Sequence, residues 1–323
     1  MEYRPLGRSG LQVSLVGLGC NNFGGRMTLD QARPVMDAAI DLGVTFFDTA
    51  DIYGNLQGNI GGSEIVMGEL LRSRRDQVIL ATKFGYTNRD MGYGPVAGAK
   101  GGRAYIRIAV EASLRRLQTD HIDLYQLHAP DAVTPMAETL AALHELVLEG
   151  KVRYLGHSNL NGWQLAEAEH VARQHGFTPF ISAQNRWSLL DREWEGSVRQ
   201  AAEHYGVGLI PYSPLAQGLL TGTVKRGEPL PSGTKIAGSP HMVTDERLDH
   251  LDRLSAWGAE HGRSILEIAF GGLTGRPMVG TVIAGASRPQ QVEANVAAAA
   301  WHPTVEDLAE IDKIVPPPAA PAY

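Results

Sequence analysis

Four side chains, Asp48, Tyr53, Lys83 and His128, have the types and spacing for proton chemistry on a carbonyl oxygen. Asp48 and Tyr53 lie in TFFDTADIYG (45–54), where an apolar run gives way at once to a carboxylate and then a phenol. Lys83 stands near the end of VILATKF (78–84), and His128 follows IDLYQL (122–127). A free phenol titrates at about 10 and gives up its proton poorly near neutrality. A neighbouring ammonium stabilises the phenolate and lowers that value, while an aspartate beside the lysine fixes it and keeps it charged. A histidine at the next strand end can donate a hydrogen bond to a substrate oxygen. Together these groups could protonate the oxyanion that forms on a carbonyl carbon.

Singly, each residue has a plainer reading. An Asp after an apolar run caps a turn, a Tyr before a Gly packs, a Lys carries its head to solvent, and a lone His is a hydrogen-bonded structural residue. The functional reading depends on their convergence, and hence on the elements that carry them. Short, mostly non-alternating apolar runs recur at 15–19, 44–47, 78–84, 122–127, 152–158, 180–185, 207–213 and 281–285, as expected of parallel strands buried on both faces. Helical periodicity lies between them at 28–43, 62–73, 103–118, 134–150, 162–175, 194–205, 246–261 and 289–299. Thr28 is positioned as an N-cap with Gly43 as a stop, and Thr134-Pro135 and Gly150 bracket the helix over 134–150.

This alternation predicts an α/β fold, a (β/α)8 TIM barrel forming one domain over 1–323. A doubly wound open sheet is the competing architecture, but the glycines of GLGCNNFGG have the wrong spacing for a dinucleotide fingerprint. In a barrel, polar residues at the C-terminal strand ends face the site. A hairpin over residues 1–13 precedes the barrel, and long glycine-rich loops at 87–103 and 216–245 fall on its C-terminal face. The proline-rich segment 314–323 is expected to be a loose tail.

The bulk composition narrows the function classes. Hydrophobic residues make up 43% and charged residues 20% of 323, as in an ordinary globular protein. A net charge of −6 gives no general attraction to nucleic acid or anionic membrane. With Cys20 alone there is no intrachain disulfide and no cysteine-rich zinc site. MEYRPLGRSG lacks the apolar stretch of a signal peptide, and no run is long enough to span a bilayer. A reducing, cytoplasmic setting is therefore expected. A metal-dependent hydrolase is disfavoured: LVGLG carries no His-x-His, and only His128 and His157 lie at strand ends.

From LGRSGLQVSLVGLG through FFDTADIYG, TKFG, SLRRLQTDHIDLYQLH, GHSN, YSPLAQGLLTG and GASRPQQVEAN, nearly the whole chain resembles the aldo-keto reductases. YSPLAQGLLTG is more similar to bacterial members and channel β-subunit relatives than to the mammalian aldose reductase branch. The resemblance implies a catalytic tetrad, with Tyr53 as general acid and base, Lys83 its partner, Asp48 the support of Lys83, and His128 orienting the carbonyl. It implies a nicotinamide cofactor across the barrel mouth, NADP(H) in preference to NAD(H), and a small-molecule carbonyl substrate. Ser158, Asn159 and Gln184 would hold the carboxamide and Tyr212 would stack on the ring. Ser213, Leu215, Gln217 and Gly218 would cover the pyrophosphate. Gly285, Ser287, Arg288, Gln291 and Asn295 would form the adenosine-phosphate site, with the Arg288 fork suited to a 2′-phosphate. No metal is implied.

Two positions depart from the family pattern: Ala294 replaces a usual Glu, and Thr223 replaces a loop Lys that Lys225 could substitute. Asn21, Asn22, Phe23, Trp187 and the 87–103 loop are candidate pocket walls. Cys20 is expected to be a small buried neighbour of the cofactor rather than a nucleophile. The alternative reading is a cofactor-binding sensor or docking subunit without catalysis.

Overall fold

Apolar strands buried on both faces still leave a row of unpaired backbone groups at each sheet edge, and closing the sheet removes both edges. The computed structural model describes residues 1–54 and 60–318. It opens with a two-stranded antiparallel hairpin, β1 (Tyr3–Pro5) and β2 (Gln12–Ser14). Then come β3 (Val16–Gly19), β4 (Phe46–Asp48), β5 (Ile79–Phe84), β6 (Ile122–Leu127), β7 (Val152–Ser158), β8 (Phe180–Arg186), β9 (Gly208–Tyr212) and β10 (Val282–Gly285). These eight pair in parallel and in chain order, and β10 closes the ring by pairing with both β9 and β3.

Helices link successive strands: α1 (Leu29–Asp41), α2 (Gly62–Leu71), α3 (Arg103–Leu117), α4 (Met136–Leu148), α5 (Gly162–His175) and α6 (Ser197–Tyr205). Two helices, α7 (Asp245–His261) and α8 (Ile265–Thr274), lie between β9 and β10, and α9 (Pro289–Ala298) and α10 (Val305–Ile314) follow. The chain is thus the expected (β/α)8 barrel. Thr28 caps α1 in a reciprocal capping box with Gln31, and Ala32, Val35, Met36 and Ala39 form its buried face. Among the described residues no helix is long and apolar enough to cross a membrane.

Helices α8 and α10 were not expected. In α8, ILEIAFGGLT is apolar all round and contains two glycines, so it lacks the one-sided pattern of a surface helix. A local signal existed in both cases: Ser264 with Glu267 and Thr304 with Asp307 form capping boxes. The start expected at 194 is a 3₁₀ turn, Glu193–Glu195, and α6 begins at Ser197. Thr134 does not cap α4; its hydroxyl donates to Asp131 instead, 2.8 Å away. The proposed tail from 314 is ordered at its start, since Ile314 closes α10 and Val315 is buried with its carbonyl accepting from Arg192. Residues 319–323 of that segment lie outside the described residues.

The hairpin decides which end of the barrel is open. Leu6, Leu11 and Val13 pack against Phe46, Leu124, Ile210 and Ile283, and the Arg8 amide donates to the Gly206 carbonyl at 2.8 Å, just before β9. The N-terminal mouth is thereby covered, and the carboxyl ends of the strands face an open cleft.

A buried carboxylate ties the outer layer to β5. Glu64 of α2 is fully buried and accepts from Thr82 of β5 at 2.6 Å and from Arg116 of α3 at 2.7 Å. Truncating one partner of such a pair strands the other charge. Arg116→Met should therefore lower stability by about 3–5 kcal/mol in urea unfolding; a loss under about 1 kcal/mol would show that Glu64 is not held by this pair.

Candidate active site

Strand alternation places Asp48 of β4, Lys83 of β5, Gln126 of β6 and Gln184 of β8 towards the barrel axis, all buried. Lys83 Nζ donates to Asp48 Oδ2 at 2.6 Å, to the Thr49 carbonyl at 2.7 Å and to the Tyr53 hydroxyl at 3.4 Å. An ammonium has three donors, and all three are used. The other carboxylate oxygen, Asp48 Oδ1, accepts from Gln184 at 2.8 Å and Gln126 at 3.1 Å. Burial works against the Lys83 ammonium, yet Asp48 and the Tyr53 hydroxyl more than compensate, so its pKa lies above the ordinary lysine value.

Tyr53 sits five residues beyond Asp48, on the loop into α2. Its ring stands at 83° to that of His128, with centroids 5.7 Å apart, and Lys83 Nζ lies 4.7 Å from its ring centre. Gly54 makes this placement possible: at φ +79°, any Cβ there would lie 2.4 Å from the Ser63 amide nitrogen. The Tyr53 carbonyl in turn accepts from that amide at 3.1 Å, which anchors the loop on the start of α2. The phenol titrates above its ordinary value, because burial raises it more than Lys83 lowers it. The lowering expected from the ammonium alone is reversed by the desolvation of the phenol. Tyr53 therefore rests protonated, the state a general acid requires.

His128 follows β6, and its backbone amide donates to the Phe84 carbonyl at 2.8 Å. Burial, helped by the Lys83 charge, pushes its imidazole well below its usual range, so the ring is neutral and can donate one N–H. Nδ1 is enclosed without a partner, leaving Nε2 as the nitrogen available to the cleft.

The cleft has a volume of about 550 Å³. Asp48, Tyr53, His128, Ser158, Asn159, Gln184, Tyr212, Ser213 and Gly285 all line it; Lys83 lies behind Tyr53, fully buried. Asn159 spans the strand ends: it donates to the His128 carbonyl at 2.9 Å and to Ser158 at 3.0 Å, and accepts from Tyr212 at 3.0 Å. It does so from a left-handed backbone, φ +62°, which Asn tolerates better than most residues. Ser213, Ala216 and Gln217 are left-handed too, and such clustering of strained backbone is common at functional sites. Leu215, Gln217 and Gly218 belong to this turn but do not line the cleft.

The Ser287 amide and hydroxyl both donate to Gln291, at 2.7 and 3.1 Å, around the start of α9. Arg288 is exposed at the N-cap of α9, whereas Asn295 is buried. Ala294, Thr223 and Lys225 are all exposed and outside the cleft lining.

Among the candidate walls, Asn21 and Thr87 of the 87–103 segment line the cleft, joined by Tyr86 just before that segment. Phe23 and Trp187 are core residues, the latter donating its indole N–H to Glu195 at 2.7 Å. Cys20 is buried, and desolvation with the nearby Asp48 charge raises its thiol well above the usual value, which keeps it inert. Gln126, Lys235, Ile52, Tyr86 and Ala129 were not expected at or behind the cleft. Gln126 could have been found as the polar interruption of IDLYQL, and Lys235 as the second lysine of the long loop after β9. Lys235 lines the cleft beside Gly285, and burial together with Arg26 lowers its pKa.

Comparison with known proteins gives a consistent match. The model of the Aldo/keto reductase family matches residues 15–316. An uncharacterized oxidoreductase of Bacillus subtilis (strain 168), YrpG, is 37% identical over 98% of this chain and 97% of its own. The L-glyceraldehyde 3-phosphate reductase of Escherichia coli (strain K12) is 35% identical, over 97% and 92% respectively. A protein of Oryza sativa subsp. japonica named "Probable voltage-gated potassium channel subunit beta" is 32% identical, over 98% and 97%.

The neutral imidazoles give stability a pH dependence. Burial holds His157 at about 3 and His128 well below its usual range. In the unfolded chain both take up protons below about 6.5, so the unfolded state binds more protons and stability falls as pH drops from there towards 3. Each contributes up to about 1.4 kcal/mol per pH unit. Urea midpoints should decline from neutral to acid pH less steeply in His157→Gln than in the unaltered protein. Identical slopes would mean that His157 is not buried neutral.

Proposed function

We propose that this chain, which belongs to the Aldo/keto reductase family, is an oxidoreductase that reduces aldehydes or ketones to alcohols, reversibly, with NADP(H) preferred over NAD(H). The observation that carries this reading is the Lys83 ammonium, bonded to both Asp48 and the Tyr53 hydroxyl, with a neutral His128 set perpendicular to the same ring. A protonated phenol and an imidazole N–H then converge on one point of the cleft. A carbonyl oxygen placed there accepts a hydrogen bond from His128 and, as it gains negative charge, the Tyr53 proton. The ammonium stabilises the phenolate left behind, and Asp48 keeps that ammonium in place. In the reverse direction the phenolate removes the alcohol proton.

The cleft residues fit a nicotinamide cofactor, which when bound supplies the hydride. Polar groups of Ser158, Asn159, Gln184 and Tyr212 line one arc of the cleft, and Lys235 gives the β10 side a cation for phosphate. Gln184 has its amide N–H engaged by Asp48, so its carbonyl oxygen is the group free for a carboxamide. Ser213, Leu215, Gln217 and Gly218 would cover the pyrophosphate. Gly285, Ser287, Arg288, Gln291 and Asn295 would hold the adenosine phosphate, Arg288 its 2′-phosphate. A second reading, a subunit that binds cofactor without turnover, has support from the channel-subunit relative.

NADPH and NADH oxidation against aromatic aldehydes, ketones and aldoses tests the proposal. Tyr53→Phe should lower turnover by about 10²–10⁴-fold while NADPH still binds in fluorescence titration. Near-unaltered turnover would refute Tyr53 as the acid. Arg288→Ala should weaken NADPH binding and spare NADH; equal effects would remove the 2′-phosphate contact. Cofactor binding without consumption on any carbonyl would favour the second reading.

A further inference from the structure

The substrate side of the cleft is walled by Ile52, Tyr86, Thr87 and Ala129 around His128. Tyr86 is the large member of this wall. Its ring is tilted 56° against the His128 imidazole at a centroid distance of 4.9 Å. Yet it is more than one-third exposed and stands at the start of a segment poorly suited to hold anything still. Gly92, Gly94 and Gly98 all have positive φ, and a Cβ on any of them would meet nothing within 4 Å. Such glycines are unconfined by packing and carry large backbone entropy.

The segment 86–99 is instead fixed at its neck. One root is β5, whose last residue, Phe84, accepts the His128 amide at 2.8 Å. The other root is Gly101, whose amide donates to Asp131 at 2.6 Å and whose carbonyl accepts from Thr139 at 2.8 Å. Between them Lys100 reaches across and donates to the carbonyls of Tyr86 and Arg89. Met91 and Ala97 bury the middle of the flap in the core. Among the described residues, Lys100 is the side chain that hydrogen-bonds the part carrying the cleft wall, and a cationic donor makes those bonds stronger than neutral ones.

We propose that Lys100 is a positioning residue for the carbonyl substrate: by closing the neck of the 86–99 flap it holds the Tyr86 ring against His128, as the wall on which an aromatic aldehyde seats. This rests on the reductase reading above. Lys100 touches neither the reacting atoms nor the tetrad, so its effect falls on substrates that need the Tyr86 face and spares small ones.

The test compares Lys100→Met, Lys100→Arg and Tyr86→Ala, with NADPH and two probes, 4-nitrobenzaldehyde and propanal. In Lys100→Met the KM for 4-nitrobenzaldehyde should rise about tenfold with kcat within about twofold, and the KM for propanal should stay put. Lys100→Arg should restore the aromatic KM, since a guanidinium can bridge the same carbonyls. Tyr86→Ala should raise it similarly, with no further rise when combined with Lys100→Met. Equal KM changes for both aldehydes, no change for either, a fall in kcat alone, or additive effects in the double variant would overturn the proposal. Hydrogen exchange separates this from the reductase reading, because it needs no turnover. Amides of 86–99 should exchange about tenfold faster in Lys100→Met than in the unaltered protein, and unchanged protection would refute the clamp. If that acceleration is seen but the unaltered protein consumes NADPH with none of the aldehydes, ketones and aldoses, the clamp stands and the reductase reading fails.

Discussion

A lysine ammonium taken out of water is costly unless its charge and all its donors are matched. Lys83 is fully buried, so the barrel mouth is arranged around that requirement. Asp48 supplies the charge, the Thr49 carbonyl a second acceptor, and Tyr53 the third. Asp48 has its own remaining oxygen to satisfy, which draws in Gln126 and Gln184 from two further strands. Four of the eight strands are thus joined by one polar network at the same level of the barrel. Removing any member leaves a buried group unmatched, and for that reason the phenol has little freedom to drift.

The surrounding fold supplies what the network cannot supply for itself. The hairpin seals the opposite mouth, so the open end is the one with the polar groups. The Gly54 turn sets Tyr53 on the start of α2, and Glu64 ties that helix through Thr82 to the residue beside Lys83. Asn159 fastens the ends of β6, β7 and β9 at the cleft rim. The flap after β5 is held differently: Met91 and Ala97 pack its middle into the core, and beside the cleft the Lys100 side chain bonds the Tyr86 and Arg89 carbonyls.

Much of this was legible in the sequence, for definite reasons. A parallel strand buried on both faces writes a short apolar run, and a functional residue at its end interrupts that run, so Asp48, Lys83 and His128 stood out. Tyr53 stood out because it precedes a glycine soon after such an end. What the sequence hid was the balance of forces. The ammonium near Tyr53 could be inferred, but the burial that outweighs it could not. Phe23 and Trp187 could have faced cleft or core, and only packing decided. Helix α8 hid because a helix buried on all sides has no amphipathic pattern, although Ser264 and Glu267 mark its start. Lys235 hid in a loop whose path no periodicity describes.

Burial raises the proton affinity of Tyr53, and the Lys83 ammonium, held in place by Asp48, pulls it part of the way back. Deleting Lys83 alone would strand Asp48, so the informative protein is Lys83→Met combined with Asp48→Asn, which leaves no unpaired charge. Its kcat/KM for alcohol oxidation, measured as a function of pH beside that of the unaltered protein, reports the phenolate that oxidation requires. The apparent value belongs to the coupled groups rather than to Tyr53 alone. With the stabilising ammonium gone, the ascending limb should move to higher pH by about 1–3 units while NADP(H) still binds. An ascending limb that stays where it was, in a folded and cofactor-binding double variant, would contradict the account.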